Sequence, residues 1–130
     1  MGLSVLDSSV LVAFLDAHDS LHQQATRALA GIAAVHALVV PVVAYAEVMV
    51  GAFVAGDRAV RQAQAFFDGS TRIEPLTPAT ARLGAQLRAR HRLGMPDALV
   101  LATGIELGAA EIVTGDRSWR KIDRRVKVIA

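Results

Sequence analysis

No cysteine occurs anywhere in this chain, which removes disulfide frameworks, thiolate nucleophiles and zinc–sulfur centres from consideration. The N-terminus lacks the basic stretch, apolar run and cleavage site of a secretory signal, so a reducing cytoplasm is the expected compartment. Internal repeats, linkers and low-complexity segments are missing too. Lysine is scarce, and nearly all of the 14 Lys and Arg are arginine, which grips phosphate through a bidentate fork that lysine does not have. A formal net charge of +2 implies nucleic acid only if the charges cluster. Apolar residues are plentiful. They make up 53% of the chain with a mean hydropathy of +0.40, which predicts an apolar face that a partner or second subunit covers. At 130 residues the chain is expected to form one domain, 1–130, around one core.

From Ala28 to Ala46, nineteen residues pass without a formal charge, long enough to raise a membrane span. Pro41 interrupts the run, His36 lies inside it, and Glu47 follows with no basic flank, so a soluble core and no membrane partner are expected. The stretch divides into a buried strand, Ala37–Val40, and a helix, Val42–Val54, beginning after the proline. Further strands are predicted at Leu3–Leu6, Arg72–Leu76, Glu111–Thr114 and Val126–Ile129. Helices are predicted at Val10–Leu15, Ser20–Gly31, Asp57–Asp68, from Thr77-Pro78 to Leu93, and from Pro96 towards Gly108. Strands alternating with helices imply an α/β sandwich with a largely parallel sheet.

Four acids stand at positions that matter in such a sheet. Asp7 ends the first strand and opens a helix with Ser8 and Ser9, and Asp116 follows the strand Glu111–Thr114. Open α/β sheets place ligands at strand C-terminal ends. Asp97 lies in the first turn of Gly94-Met95-Pro96-Asp97-Ala98-Leu99-Val100-Leu101-Ala102-Thr103, a helix apolar on every side, where free N–H groups favour an anion. Glu47 is the only charge in Val42–Val54, and a buried unpaired carboxylate there costs several kcal/mol. Taken singly, each has an ordinary explanation: helix caps for Asp7 and Asp97, a solvent-reaching or Arg-paired side chain for Glu47. Brought to one edge, each pair 4–8 Å apart repels by roughly 2–4 kcal/mol at an effective dielectric near 20. Hard cations with oxygen ligands, Mg²⁺ or Mn²⁺, neutralise such a cluster.

Other polar residues carry weaker signals. His18 and His22 read as solvated surface residues, and Trp119 as a core residue. Arg82, Arg88, Arg90 and Arg92 make a basic edge on one helix, which reads as a solvated face. Arg117, Arg120, Lys121, Arg124, Arg125 and Lys127 are the one credible phosphate-contact patch.

The segments Val5-Leu6-Asp7-Ser8-Ser9-Val10-Leu11-Val12, Ala46-Glu47-Val48, Met95-Pro96-Asp97-Ala98-Leu99-Val100-Leu101-Ala102 and Val113-Thr114-Gly115-Asp116-Arg117-Ser118-Trp119 resemble the successive motifs of PIN domains. The compact length resembles the VapC-type toxins of type II toxin–antitoxin pairs. That resemblance implies an α/β/α sandwich of four to five mainly parallel strands and about six to seven helices. It implies a cytoplasmic, Mg²⁺- or Mn²⁺-dependent endoribonuclease in which Asp7, Glu47, Asp97 and Asp116 are both catalytic residues and metal ligands. Ser9 matches a small polar residue that supports the site. Ser118 stands where many members carry another acid, so a second metal is expected to bind weakly or only with substrate. Arg117, Arg120 and Lys121 are the expected RNA-phosphate contacts. The implied partners are RNA, a VapB-like antitoxin and a second copy in a homodimer. The alternative is a catalytically inert PIN-like scaffold that binds RNA or protein. A haloacid-dehalogenase-type phosphatase wants a second Asp two residues after Asp7, where Ser9 stands.

Overall fold

Three strands carry consecutive branched apolar residues towards their C-terminal ends, as strands covered on both faces do. Val5, Leu6, Val39, Val40, Ile112 and Val113 have no solvent exposure. The computed structural model describes residues 2–69 and 71–129. Along it run β1 Gly2–Leu6, α1 Ser8–Leu15, α2 His22–Ala33, β2 His36–Pro41, α3 Val42–Ala55, α4 Asp57–Phe67, β3 Thr71–Glu74, α5 Pro78–Arg90, α6 Met95–Glu106, β4 Glu111–Thr114 and β5 Val126–Val128. A 3₁₀ turn, Arg117–Lys121, joins the last two strands.

The sheet has five strands in the order β3-β2-β1-β4-β5, and every pairing is parallel. The chain steps outward from β1 through β2 to β3, then crosses back to β4 and β5. The direction of travel therefore reverses between β1 and β4, where open α/β sheets leave a crevice beyond the strand ends. The Asp7 amide donates to the Val113 carbonyl at 2.9 Å, holding the two strand ends side by side at that crevice.

Helix α6 lies against the middle of the sheet. Ala98, Val100, Leu101 and Ala102 are fully buried, and a Cβ at Gly104 would run into the Ile112 side chain. Only glycine lets α6 settle this close to β4. Gly94 precedes the helix and Pro96 is its second residue rather than its first. That position still suits proline, whose missing N–H lies among those left unbonded at a helix start.

The boundaries shift by small amounts from the sequence expectation. The second helix starts at His22 rather than Ser20, because the Asp19 side chain caps the Leu21 amide in a turn. Helix α5 stops at Arg90, three residues short of Leu93, and Thr77 caps its start. His22 is half-buried rather than solvated, and its Nδ1 is bonded to the Ala13 carbonyl. The charge-free run breaks into the end of α2, β2 and the start of α3. Among the described residues no helix is long and apolar enough to cross a membrane.

Candidate active site

Asp7 leaves β1 at its C-terminal end and caps α1, with only 5% of its surface exposed. Three donors hold its carboxylate. Oδ1 accepts from the Ser8 amide at 2.8 Å, and Oδ2 accepts from the Ser9 hydroxyl at 2.7 Å and the Thr114 hydroxyl at 2.8 Å. A carboxylate offers about four lone-pair sites, so one remains uncommitted. Burial raises the Asp7 pKa most, the three donors pull it down, and repulsion from Asp116 adds to the rise.

The same hydroxyls tie β1 to β4. Ser9 Oγ accepts from the Gly115 amide at 3.0 Å, and Thr114 Oγ1 accepts from the Asp116 amide at 3.1 Å. Asp116 then caps the 3₁₀ turn, its Oδ1 accepting from the Ser118 amide at 2.9 Å and the Ser118 hydroxyl at 2.7 Å. Ser118 thus orients Asp116, as Ser9 orients Asp7. Thr114 is a positioning residue that the sequence reading missed. Its one signal there was a polar residue directly after the buried apolar pair Ile112-Val113 at the strand's end. Replacing it with valine keeps the shape and removes the hydroxyl. Thr114→Val is expected to cost about 1–3 kcal/mol in urea unfolding, while Thr114→Ser, which keeps a donor for Asp7, is expected to cost clearly less.

Asp97 sits half-buried in the first turn of α6. Its pKa is raised from 3.8 to about 6, first by burial and then by repulsion from Asp7, Glu47 and Asp116 in turn. The four acids named from the sequence therefore share one electrostatic neighbourhood. Glu47 is exposed, the solvent-reaching reading that the sequence left open for it rather than a charge sealed in the core. Helix α3 buries Ala44, Val48, Met49 and Ala52, leaving Glu47 on a face that reaches water.

Among the described residues none of the four carboxylates pairs with a cation. No three of the described His, Cys, Asp and Glu side chains stand close enough together to enclose a metal ion. The donor set nonetheless suits a hard divalent cation, being all oxygen, acidic and uncompensated. Of the basic C-terminal patch, Arg125 is engaged by Asp123 at 3.1 Å and Lys127 by Glu111 at 3.9 Å. Arg117, Arg120, Lys121 and Arg124 are exposed. Trp119 is fully buried, in the core as expected.

Solved structures share this fold. A toxin–antitoxin complex from Klebsiella pneumoniae superposes with a TM-score of 0.83 at 20% identity, covering 98% of this chain and 98% of that one. VapBC2 from Rickettsia felis, bound to a DNA fragment from its promoter, gives 0.77 at 17% identity over 98% and 99% of the two chains. VapC20 from Mycobacterium tuberculosis, a sarcin–ricin loop cleaving toxin, gives 0.75 at 20% identity over 92% and 94%. No curated protein sequence matches the chain. The family model described as PIN domain matches residues 4–125, a span that contains all four acids and both strand ends at the crevice, and the chain belongs to the PIN domain family.

Proposed function

We propose that this chain is a metal-dependent endoribonuclease, the toxin of a type II toxin–antitoxin pair, silenced by a cognate VapB-like antitoxin. The observation that carries the reading is that Asp97 is held above its ordinary pKa by burial and by repulsion from Asp7, Glu47 and Asp116, while none of the four pairs with a cation among the described residues. Asp7, Glu47, Asp97 and Asp116 would hold Mg²⁺ or Mn²⁺. Such an ion would supply Lewis-acid chemistry for phosphodiester hydrolysis near neutral pH. Asp7 supplies the fixed corner, because three donors lock its carboxylate. Asp97 supplies the responsive one, since a proton it holds below about pH 6 competes with the cation for the same oxygens. Glu47 and the Ser118-oriented Asp116 complete the ligand set from the exposed side. Arg117, exposed and next to Asp116 in the chain, would offset charge on the transferring phosphate.

An antitoxin segment finds support in a groove of about 420 Å³ between α1, α3 and α4, lined by Val12, Leu15, Val48, Ala52 and Ala63. Phe53 and Val54 beside it are 69% and 84% exposed, apolar surface that suits a second copy of the chain. The likeness to toxin–antitoxin complexes from K. pneumoniae and R. felis favours the same pairing.

The test is incubation of antitoxin-free protein with total RNA and Mg²⁺ or Mn²⁺, beside an EDTA control and Asp7→Asn. Cleavage lost in both controls is the expected result, with 5′-phosphate and 3′-hydroxyl product ends. A folded protein that neither cuts RNA nor gains thermal stability from either metal would instead be an inert scaffold.

A further inference from the structure

Glycine in a helix interior costs helix stability, yet α6 carries one at Gly104, buried two turns beyond the acid near its start. A Cβ at Gly104 would fall against Ile112 Cγ1 and only 2.5 Å from Ile112 Cδ1, where carbon atoms need about 3.5–4.0 Å. Ile112 has little freedom to give way. Its branched side chain is stiff at the first torsion, it is fully buried, and its strand position is fixed between Val5 of β1 and Val126 of β5. An alanine at 104 would therefore be accommodated by lifting α6 off β4 by about 1 Å.

Gly84 makes a softer contact where α5 packs on α6. A Cβ there would come 2.8 Å from Leu99 Cδ2, but no nearer than 3.6 Å to the α6 backbone. Leu99 Cδ2 is the free end of a flexible side chain and can turn aside. Of these two glycine contacts on α6, the one with β4 is the rigid one.

The depth that Gly104 sets is felt at the other end of the helix. Asp97 and Gly104 are seven residues apart, a rise of about 10.5 Å and two turns to within about 20°. Asp97 therefore leaves α6 on the same face as the missing Cβ of Gly104, the face turned to β4. The link from α6 to β4 is short, and the Gly104 carbonyl accepts from the Ala109 amide at 3.0 Å. Helix α6 thus runs back along β4, and its first turn comes level with the strand end that Thr114 and Asp116 follow. Repulsion from Asp7, Glu47 and Asp116 resists that approach, so packing has to supply it.

We propose that Gly104 is a positioning residue of the acidic centre: its close approach to Ile112 sets the depth of α6 on the sheet, and with it the distance of the Asp97 carboxylate from the other three acids. This rests on the metal-dependent reading above. Metal–ligand distances tolerate only about 0.2 Å, so a shift of about 1 Å is enough to spoil a shared ligand set.

The test is Mn²⁺ titration of the whole chain without RNA, followed by the electron paramagnetic resonance of the free ion, beside metal-free melting curves. Gly104→Ala is expected to bind Mn²⁺ about 10–100-fold more weakly. Gly104→Ala/Ile112→Ala clears both clashing carbons and is expected to recover most of that loss. A merely structural role gives the reverse pattern, because the double variant has lost more buried side chain and melts lower, yet should bind more tightly. Gly84→Ala and Gly31→Ala, whose added methyls meet a flexible side chain and open space, are expected to leave the affinity unchanged. Should Gly104→Ala or the double variant fail to fold, Gly104→Ala/Ile112→Val, which removes only Cδ1, takes its place with a partial loss expected. Unaltered Mn²⁺ affinity in a folded Gly104→Ala or Gly104→Ala/Ile112→Val chain, or a loss that Ile112→Ala leaves uncorrected, overturns the positioning role. Metal binding by the unsubstituted chain would then still leave the nuclease standing. No Mn²⁺ bound by the unsubstituted chain would sink both.

Discussion

In metal-free protein, Asp97→Asn is expected to raise the melting temperature at pH 7.5 while removing RNA cleavage. The folded Asp97 has a pKa of about 6 against an ordinary 3.8, so the folded state holds the proton more tightly than the unfolded one. The stability that protonation contributes is fully present below about pH 4 and is lost as pH rises through 6. At neutral pH the native chain carries this charge against Asp7, Glu47 and Asp116, and asparagine relieves it. After allowance for solvent screening, the gain is on the order of 1 kcal/mol, roughly 3–5 °C for a domain of this size. The gain should shrink towards pH 4, where Asp97 is already neutral. Cleavage should move the opposite way. Groups that merely orient metal ligands cost about 10–100-fold when removed, so an acid of the centre itself is expected to cost at least ~10²-fold. Saturating Mg²⁺ should reverse the stability order, because only the wild-type chain gains from binding, by about 2.7 kcal/mol at a hundred times Kd. Melting curves at pH 5 and 7.5, with and without metal, test all of this. A fall in metal-free stability at pH 7.5 would return Asp97 to the role of a helix cap.

Asp7→Asn should not share the stabilisation. An asparagine has a single acceptor oxygen, while Asp7 takes bonds on both of its oxygens. Its amide would meet the Ser8 amide as donor against donor, or would have to donate to the Ser9 and Thr114 hydroxyls, reversing the bonds they make and leaving their protons without that acceptor. Two carboxylates of one centre thus answer the same substitution with opposite signs, which separates an acid held by the fold from one the fold resists.

Punctuation made much of this site legible in the chain. Asp7 and Asp116 each follow a run of strand residues, and Asp97 follows a Gly-Met-Pro helix start, so all three were placed by local signals. For Glu47 the sequence left two surroundings open, an unpaired buried charge and a side chain that reaches solvent, and the second is what α3 shows. Helix α3 is apolar on its outer face as well as its inner one, with Val50, Phe53 and Val54 exposed, so periodicity alone did not choose between them. Periodicity reports a buried stripe only when the other stripe is polar. Thr114 lay beyond reach for a different reason. Its bond to Asp7 joins residues 107 positions apart, and only the β1–β4 pairing creates it.

Trp119→Ala is expected to be the most damaging single change outside the acids. The indole is fully buried in the turn that follows Asp116, and truncating a buried tryptophan costs about 3–5 kcal/mol. Against a total of about 5–15 kcal/mol for a domain, that threatens the fold near body temperature. Trp119→Phe should be far milder. The Trp119 Nε1 is buried without a hydrogen-bond partner, and an unsatisfied buried donor costs about 1–3 kcal/mol. Phenylalanine removes that donor together with part of the ring, so loss and relief oppose each other and the net change should stay below about 1.5 kcal/mol. The chain has a single tryptophan, so urea unfolding must be followed by far-UV circular dichroism rather than fluorescence. A Trp119→Ala cost under about 1.5 kcal/mol would contradict the reading of this ring as core. A Trp119→Phe chain that keeps its stability and RNA cleavage would confirm that the indole supports the Asp116 turn from beneath. One that keeps its stability but loses cleavage would put the ring in contact with RNA, against the burial that the fold gives it.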